Sequence, residues 1–133
     1  RGLAPERLVF APKMEPSEHL ARHKLADLFI DTLPCNAHTT ASDALWAGLP
    51  VLTCMGESFA SRVAASLLNA MEMPELITSS IQEYEELAIA LGNDLQRVQA
   101  LKHKLQHNKL TTPLFDSDLF TSNFESIFLN ILL

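Results

Sequence analysis

Leu28-Phe29-Ile30-Asp31, Thr40-Ala41-Ser42-Asp43-Ala44-Leu45-Trp46-Ala47-Gly48 and Pro50-Val51-Leu52-Thr53 follow one another within residues 28–53. The first run is apolar without alternation, which points to a strand covered on both faces, as in parallel sheets. The last run starts at a proline, where a strand tolerates the missing N–H. Between them, Thr40 to Asp43 has the spacing of a capping box, with an acid in place of the usual Glu or Gln. Gly48 supplies the stop for a helix ending at Ala47. Strand, helix and strand in this order predict an α/β fold built on a parallel sheet.

The same alternation extends outward. Upstream, Leu8-Val9-Phe10-Ala11 is an apolar run stopped by Pro12 and reads as a buried strand. Pro16 suits a first helical turn, and a short helix is expected from about Ser17 to His23. Downstream, Gly56 turns the chain into a helix from Phe59 to Met71. Its expected stripe is Phe59, Val63, Leu67 and Ala70, with Ala60, Ala64 and Ala65 allowing close packing. Glu75-Leu76-Ile77-Thr78 reads as a fourth short strand. Ser80-Ile81-Gln82-Glu83 is a capping box proper. It opens a helix with Ile81, Tyr84, Leu87, Ala88 and Leu91 on one face, ended by Gly92. A helix from Asp94 to His107 should turn Leu95, Val98, Leu101 and Leu105 inward. A last helix, from about Ser117 to the end, carries Phe120, Phe124, Ile127, Phe128 and Ile131 on one face, expected to pack on the domain. No internal repeat, low-complexity tract or dividing linker interrupts this order.

A chain of 133 residues with 47% apolar and 20% charged residues suits one domain with an ordinary core. Ten Lys plus Arg against sixteen Asp plus Glu give a net charge of -6, which argues against non-specific nucleic-acid binding. A local anion site built from backbone amides remains compatible with that charge. No apolar run reaches the roughly 18 residues of a membrane span, so no membrane partner is expected. The start, Arg1-Gly2-Leu3-Ala4-Pro5, has no signal-like apolar stretch and no initiator Met, so the chain reads as a fragment. Cys35 and Cys54 do not suggest a disulfide scaffold, and a reducing cytoplasm is the expected location.

In parallel sheets, ligands bind where strand ends lead into helix starts. Two loops qualify, Pro12 to Ser17 and Thr32 to Thr40. The second runs Cys35-Asn36-Ala37-His38-Thr39-Thr40 into a helix N-terminus, where free N–H groups and the helix dipole favour an anion. Two threonine hydroxyls and an imidazole can add donors. Asp43, about one turn in, can accept from a sugar hydroxyl. The simpler alternative is that Thr39 or Thr40 caps the helix and His38 lies on the surface. His19 and Arg22 share one face of the first helix, suited either to a base and a phosphate or to solvent. The pairs His19/His23 and His103/His107 have metal-compatible spacing but lack an obvious third ligand, and no metal is expected. No Gly-rich phosphate loop is present, so helix termini and side chains must hold any phosphate. Trp46 reads as core.

The run from His38 to Thr53, followed by Gly56 and by Ser61-Arg62-Val63-Ala64-Ala65-Ser66, resembles the C-terminal catalytic region of O-GlcNAc transferases. SPINDLY-type O-fucosyltransferases share much of it. Glu18-His19-Leu20-Ala21-Arg22, Leu25 to Thr32 and Pro113-Leu114-Phe115-Asp116 extend the resemblance over nearly the whole chain. The resemblance implies a partial Rossmann-like lobe of a GT-B glycosyltransferase, with residues 1–133 forming the later part of the donor lobe. It also implies tetratricopeptide repeats upstream. By resemblance, His38, Thr39 and Thr40 hold the diphosphate of UDP-GlcNAc and Asp43 binds the ribose. The backbone near Met14 reads the uracil edge, His19 and Arg22 lie about the base, and Cys35 approaches the N-acetyl group. Pro16 stands where animal members have a lysine, which removes one ribose contact.

The family's phosphate-binding lysine, its acceptor-binding lobe and its repeats lie outside the chain, so no residue here is assigned a catalytic role. The partners implied are a UDP-sugar donor and, through absent regions, a protein acceptor. No cofactor is implied. Two central strands of the lobe are also missing by the family pattern. The strands at Leu8 to Ala11 and Leu28 to Asp31 must therefore pair differently, pair with another chain or remain partly disordered, and unpaired strand edges favour self-association of the fragment. The expected function is transfer of GlcNAc to protein Ser or Thr with inversion, by the complete enzyme and not by the chain alone. The alternatives are a GDP-fucose-using O-fucosyltransferase and a non-catalytic binding module.

Overall fold

Residues 28–54 fold as their pattern dictates. In the computed structural model, which describes Gly2 and residues 4–132, β1 (Phe29–Ile30) leads through a loop into α2 (Thr39–Ala47) and then β2 (Val51–Cys54). β2 pairs in parallel with β1 on one side and with β3 (Ile77–Thr78) on the other, giving the sheet order β1-β2-β3. The registers are Phe29 opposite Val51 and Thr53 opposite Ile77. Every residue of β2 is buried, as a central parallel strand requires. β1 is an edge strand among the described residues, and Ile30 is half exposed rather than covered on both faces.

The remaining helices are α1 (Pro16–Arg22), α3 (Val63–Ala70), α4 (Ile81–Gly92), α5 (Leu95–Thr111) and α6 (Ser117–Leu132). Pro16 opens α1 as expected, and a 3-10 turn at His23–Leu25 follows it. Gly48 ends α2 in the left-handed region at φ 89, and Leu49 N–H donates to the Ala44 carbonyl at 2.8 Å. An Ala side chain has no comfortable place there, because a left-handed φ strains any residue with a Cβ. Ser80 caps α4 by accepting from Glu83 N–H at 3.2 Å. Glu83 reaches back one residue further than a capping box requires, accepting from Ser79 N–H and Oγ at 2.9 and 2.8 Å.

The core lies between the sheet and α2, α3, α4 and α5. Leu45, Val51, Leu68, Met71, Leu76, Leu91 and Leu105 are fully buried in it. Burial of each such side chain removes it from water at about 1.5–3 kcal/mol. Asn108 adds a polar clasp, donating to the Met71 carbonyl at 2.7 Å inside the core.

Several expectations are corrected here. Leu8 to Ala11 is not a strand: no strand lies beside it among the described residues, and Val9 and Phe10 are almost fully exposed. The helix expected from Phe59 begins instead at Val63, after a 3-10 turn at Phe59–Ser61. That turn resets the helical phase, so Ala64, Ala65, Leu68 and Met71 face inward while Phe59 is exposed and Val63, Leu67 and Ala70 are half-buried. Glu75 and Leu76 belong to a 3-10 turn at Pro74–Leu76, and only Ile77–Thr78 form the strand. Ile81 and Leu95 open their helices at exposed positions, and Gly92 is the last residue of α4 rather than its stop. α5 continues past His107 to Thr111. The aromatic face of α6 is exposed, with no buried residue on the helix. Trp46 is half exposed and not core: its ring meets Phe115 edge-on at 5.1 Å, and Lys109 Nζ lies 4.7 Å from its centroid. The readings made at Arg1 and Leu3, and the final position of the last helix, lie outside the described residues.

Candidate functional site

The carboxyl end of β1 delivers the chain into the loop that opens α2. Asp31 is buried there, and its Oδ1 accepts the N–H groups of Thr32 and Ala37 at 2.8 and 2.7 Å. Thr32 Oγ1 donates to the Cys35 carbonyl at 2.7 Å, closing the loop on itself. Asn36 is buried, its N–H donating to the Ala60 carbonyl at 2.8 Å and its Nδ2 to the Thr32 carbonyl at 3.2 Å. The Asn36 contact ties this loop to the one that follows β2. In that second loop Gly56 N–H donates to the Ser61 carbonyl at 2.9 Å. A Cβ on Gly56 would stand 2.5 Å from Ser61 Oγ, so only glycine fits the turn.

His38 occupies the N-cap position of α2, and no side chain caps the helix. Ser42 N–H donates to the His38 carbonyl at 3.1 Å, which starts the helix at Thr39. Thr39 and Thr40 are therefore first-turn residues, not caps, and the capping box expected between Thr40 and Asp43 does not form. Of the simpler alternative raised by the sequence, the threonine cap does not form, whereas His38 does lie on the surface. An uncapped first turn leaves its N–H groups for an outside partner at the positive end of the helix dipole. Cys35, His38, Thr39 and Thr40 are exposed beside it, and Asp43 is half-buried one turn in. The His38 ring meets Phe59 of the second loop edge-on, with centroids 6.1 Å apart. Beyond Phe59 lies a cavity of about 540 Å3 between Met55, Arg62, Val63, Ser66 and Asn69.

α1 packs against α2, its Ser17, Leu20 and Ala21 lying beside Trp46 and Ala47 at the C-terminal end of that helix. Arg22 Nη1 donates to the Pro12 carbonyl at 2.9 Å, which holds the exposed segment carrying Met14. His19 and His23 are half-buried, their rings edge-on at 4.8 Å, and His23 Nδ1 lies 2.8 Å from the His19 carbonyl oxygen. That bond engages one of the two rings of the pair proposed as metal-compatible.

Three residues that sequence reasoning left out support the loop from beneath. Asp31 Oδ2 accepts from Thr53 Oγ1 at 2.6 Å, and the Asp31 carbonyl accepts from Tyr84 Oη at 2.6 Å. Burial, reinforced by the negative charge of Asp31 and by Cys54, pushes the Tyr84 phenol up to about 12. The signal available in the sequence was a charge ending an apolar strand, where a core strand gains nothing from one.

A parallel sheet flanked by helices, with a helix start at the carboxyl end of a strand, is the architecture of a Rossmann-like α/β lobe. The family model for glycosyl transferase family 41 matches residues 1–124, and the chain belongs to that family. It is 41% identical over 126 residues to a probable UDP-N-acetylglucosamine–peptide N-acetylglucosaminyltransferase, SEC, of Arabidopsis thaliana, covering 94% of this chain and 13% of that protein. It is 40% identical over 127 residues to the UDP-N-acetylglucosamine–peptide N-acetylglucosaminyltransferase of Caenorhabditis elegans, covering 96% of this chain and 11% of that one. A solved structure of a Thermobaculum terrenum O-GlcNAc transferase, the mutant K341M, superposes with a TM-score of 0.87 at 35% identity. It covers 96% of this chain and 25% of the bacterial one, so the expected α/β lobe of a GT-B glycosyltransferase stands. The chain thus spans about an eighth of the first two relatives. Among the described residues no helix is long and apolar enough to cross a membrane.

Proposed function

We propose that the chain is the donor-nucleotide part of a protein O-GlcNAc transferase, binding UDP-GlcNAc whose sugar the complete enzyme transfers to Ser or Thr of proteins. The observation that carries this reading is the uncapped start of α2, presented by a pinned loop at the carboxyl end of a parallel strand. In this reading the first-turn amides and the Thr39 and Thr40 hydroxyls donate to the diphosphate, and the His38 ring adds a further donor. Asp43 accepts from the ribose. The segment at Met14, fixed by Arg22, meets the uracil edge, with His19 beside the base. Cys35 lies toward the N-acetyl group. A metal ion forms no part of the site.

These residues would act on the leaving group. As the acceptor hydroxyl attacks the anomeric carbon, the bond from that carbon to the UDP oxygen breaks and negative charge grows on the diphosphate. Fixed N–H and O–H donors aimed at that charge stabilise the transition state more than the bound substrate. The proton of the acceptor hydroxyl goes to a group outside this chain. The Arabidopsis SEC, nematode and Petunia SPINDLY relatives, the last 33% identical over 128 residues, are all named as UDP-N-acetylglucosamine–peptide transferases, which supports UDP-GlcNAc over GDP-fucose.

The test is Thr40→Val in the complete protein that carries these residues. The change keeps size and removes one hydroxyl. A lost hydrogen bond to a charged group is worth about 1.5–3 kcal/mol, so UDP affinity should fall roughly ten- to a hundredfold by calorimetric titration. Parental UDP affinity in the folded variant would sink the diphosphate assignment.

A further inference from the structure

The residue that shapes the β1–α2 loop is not among those assigned to the donor above. We propose that Asp31 is a positioning residue for donor binding, holding the loop so that the start of α2 meets a diphosphate already in its bound shape. The inference rests on the donor-binding reading above.

Asp31 is 4% exposed, and a buried carboxylate is costly unless donors surround it. Both ion pairs among the described residues lie elsewhere, Lys102 with Asp27 and Lys104 with Glu75. What meets the charge instead is one side chain and the loop's own backbone. Oδ1 takes N–H groups from residues 32 and 37, at the two ends of the loop, and Oδ2 takes the Thr53 hydroxyl. Two ends of one loop converging on a single oxygen fix its span. His38 follows the second anchored residue directly.

Asp31 is itself immobilised. Its N–H donates to the Leu52 carbonyl at 3.0 Å, and its carbonyl accepts from Tyr84 of α4. N–H bonds to an ionised acceptor are about twice as strong as neutral ones, which is what a carboxylate supplies and an apolar residue here would not. The carboxylate engages the N–H groups of residues 32 and 37 and leaves those of the first turn of α2 for a ligand. A loop ordered beforehand loses less conformational freedom on binding, and that difference appears as affinity.

Asp31→Asn keeps the shape and both loop contacts but removes the charge. In the complete protein, UDP and uridine are titrated separately by calorimetry. Asp31→Asn should raise the UDP Kd about tenfold, because the two loop contacts lose their charge assistance, with uridine changed less than twofold. Thr53→Val, which removes the donor on Oδ2 without touching the loop, should raise the UDP Kd about threefold and carries the test if Asp31→Asn does not fold. A folded variant with a lower melting midpoint and parental UDP affinity overturns the inference and leaves the donor reading intact. Equal losses for UDP and uridine also overturn it. A parent protein that binds no UDP overturns the donor reading, and the inference with it.

Discussion

Helix α5 turns Val98, Leu101 and Leu105 into the core, whereas α6 leaves Phe120, Phe124, Ile127 and Phe128 at least half exposed. Both helices carry apolar residues at helical spacing, and α6 has the larger side chains. The difference lies in what each helix has to pack against. α5 lies on α4 and is fastened at several points: Lys102 to the Ala26 carbonyl and Asp27, Lys104 to Glu75, Asn108 to the Met71 carbonyl. α6 is started by Asp116, which accepts from Leu119 N–H at 2.8 Å, and its rings pack mainly on one another. Periodicity names a face, and burial needs a second surface.

The largest expected effect is on the α5 side of this comparison. Leu105 is fully buried, and Leu105→Ala removes its contacts and leaves a cavity. The cost should be about 2–5 kcal/mol in urea unfolding of the chain. A loss below about 1 kcal/mol would mean that the α5 interface is loose, and the contrast with α6 would disappear.

Tyr84 offers an intermediate effect, because it joins α4 to the strand end beneath the site. Tyr84→Phe removes the donor to the Asp31 carbonyl and should cost about 1 kcal/mol at neutral pH. The parent also has a pH signature. Its folded phenol pKa, about 12, is above the ordinary 10, so the unfolded chain loses the proton first. This contribution is complete below pH 10 and is lost as pH rises from 10 toward 12. Two pKa units correspond to roughly 2–3 kcal/mol at most. Tyr84→Phe should therefore fall less than the parent between pH 10 and 12 in unfolding free energy. Parallel curves for the two proteins would show that the phenol is solvated.

How much of this was legible follows from how local each cause is. β1, α2, the Gly48 stop, β2 and the Ser80 cap are written in neighbouring residues, and each forms within a residue or two of its expected place. The helix start at His38-Thr39-Thr40 was readable for the same reason, as the junction where a strand feeds a helix. The phase of α3 was not, because a 3-10 turn at Phe59–Ser61 interrupts the count. Asp31 was hidden because its partners Thr53 and Tyr84 are 22 and 53 residues away. Leu8 to Ala11 and the α6 face failed together: an apolar run becomes strand or core only where another element covers it.

The smallest expected effect is the sharpest test of that last point. Phe124 is half exposed on α6, stacked on Phe120 at 5.8 Å and edge-on to Phe128 at 4.9 Å. Phe124→Ala removes two such (i, i+4) contacts, worth about 0.2–0.5 kcal/mol each. Ala is in turn the better helix former, by about 0.5 kcal/mol. The terms oppose one another, so the stability of the 133-residue chain should change by less than about 0.5 kcal/mol. The same substitution in a buried site would cost about 3–5 kcal/mol, so the two outcomes are well separated. Measured at low micromolar and at tenfold higher concentration, the parent and variant midpoints should coincide. A loss of several kcal/mol at both concentrations would mean that α6 folds back onto the domain. A loss that grows with concentration would mean that a second copy of the chain covers it. In either case the opposition between α5 and α6 would break, and the aromatic face would count as core.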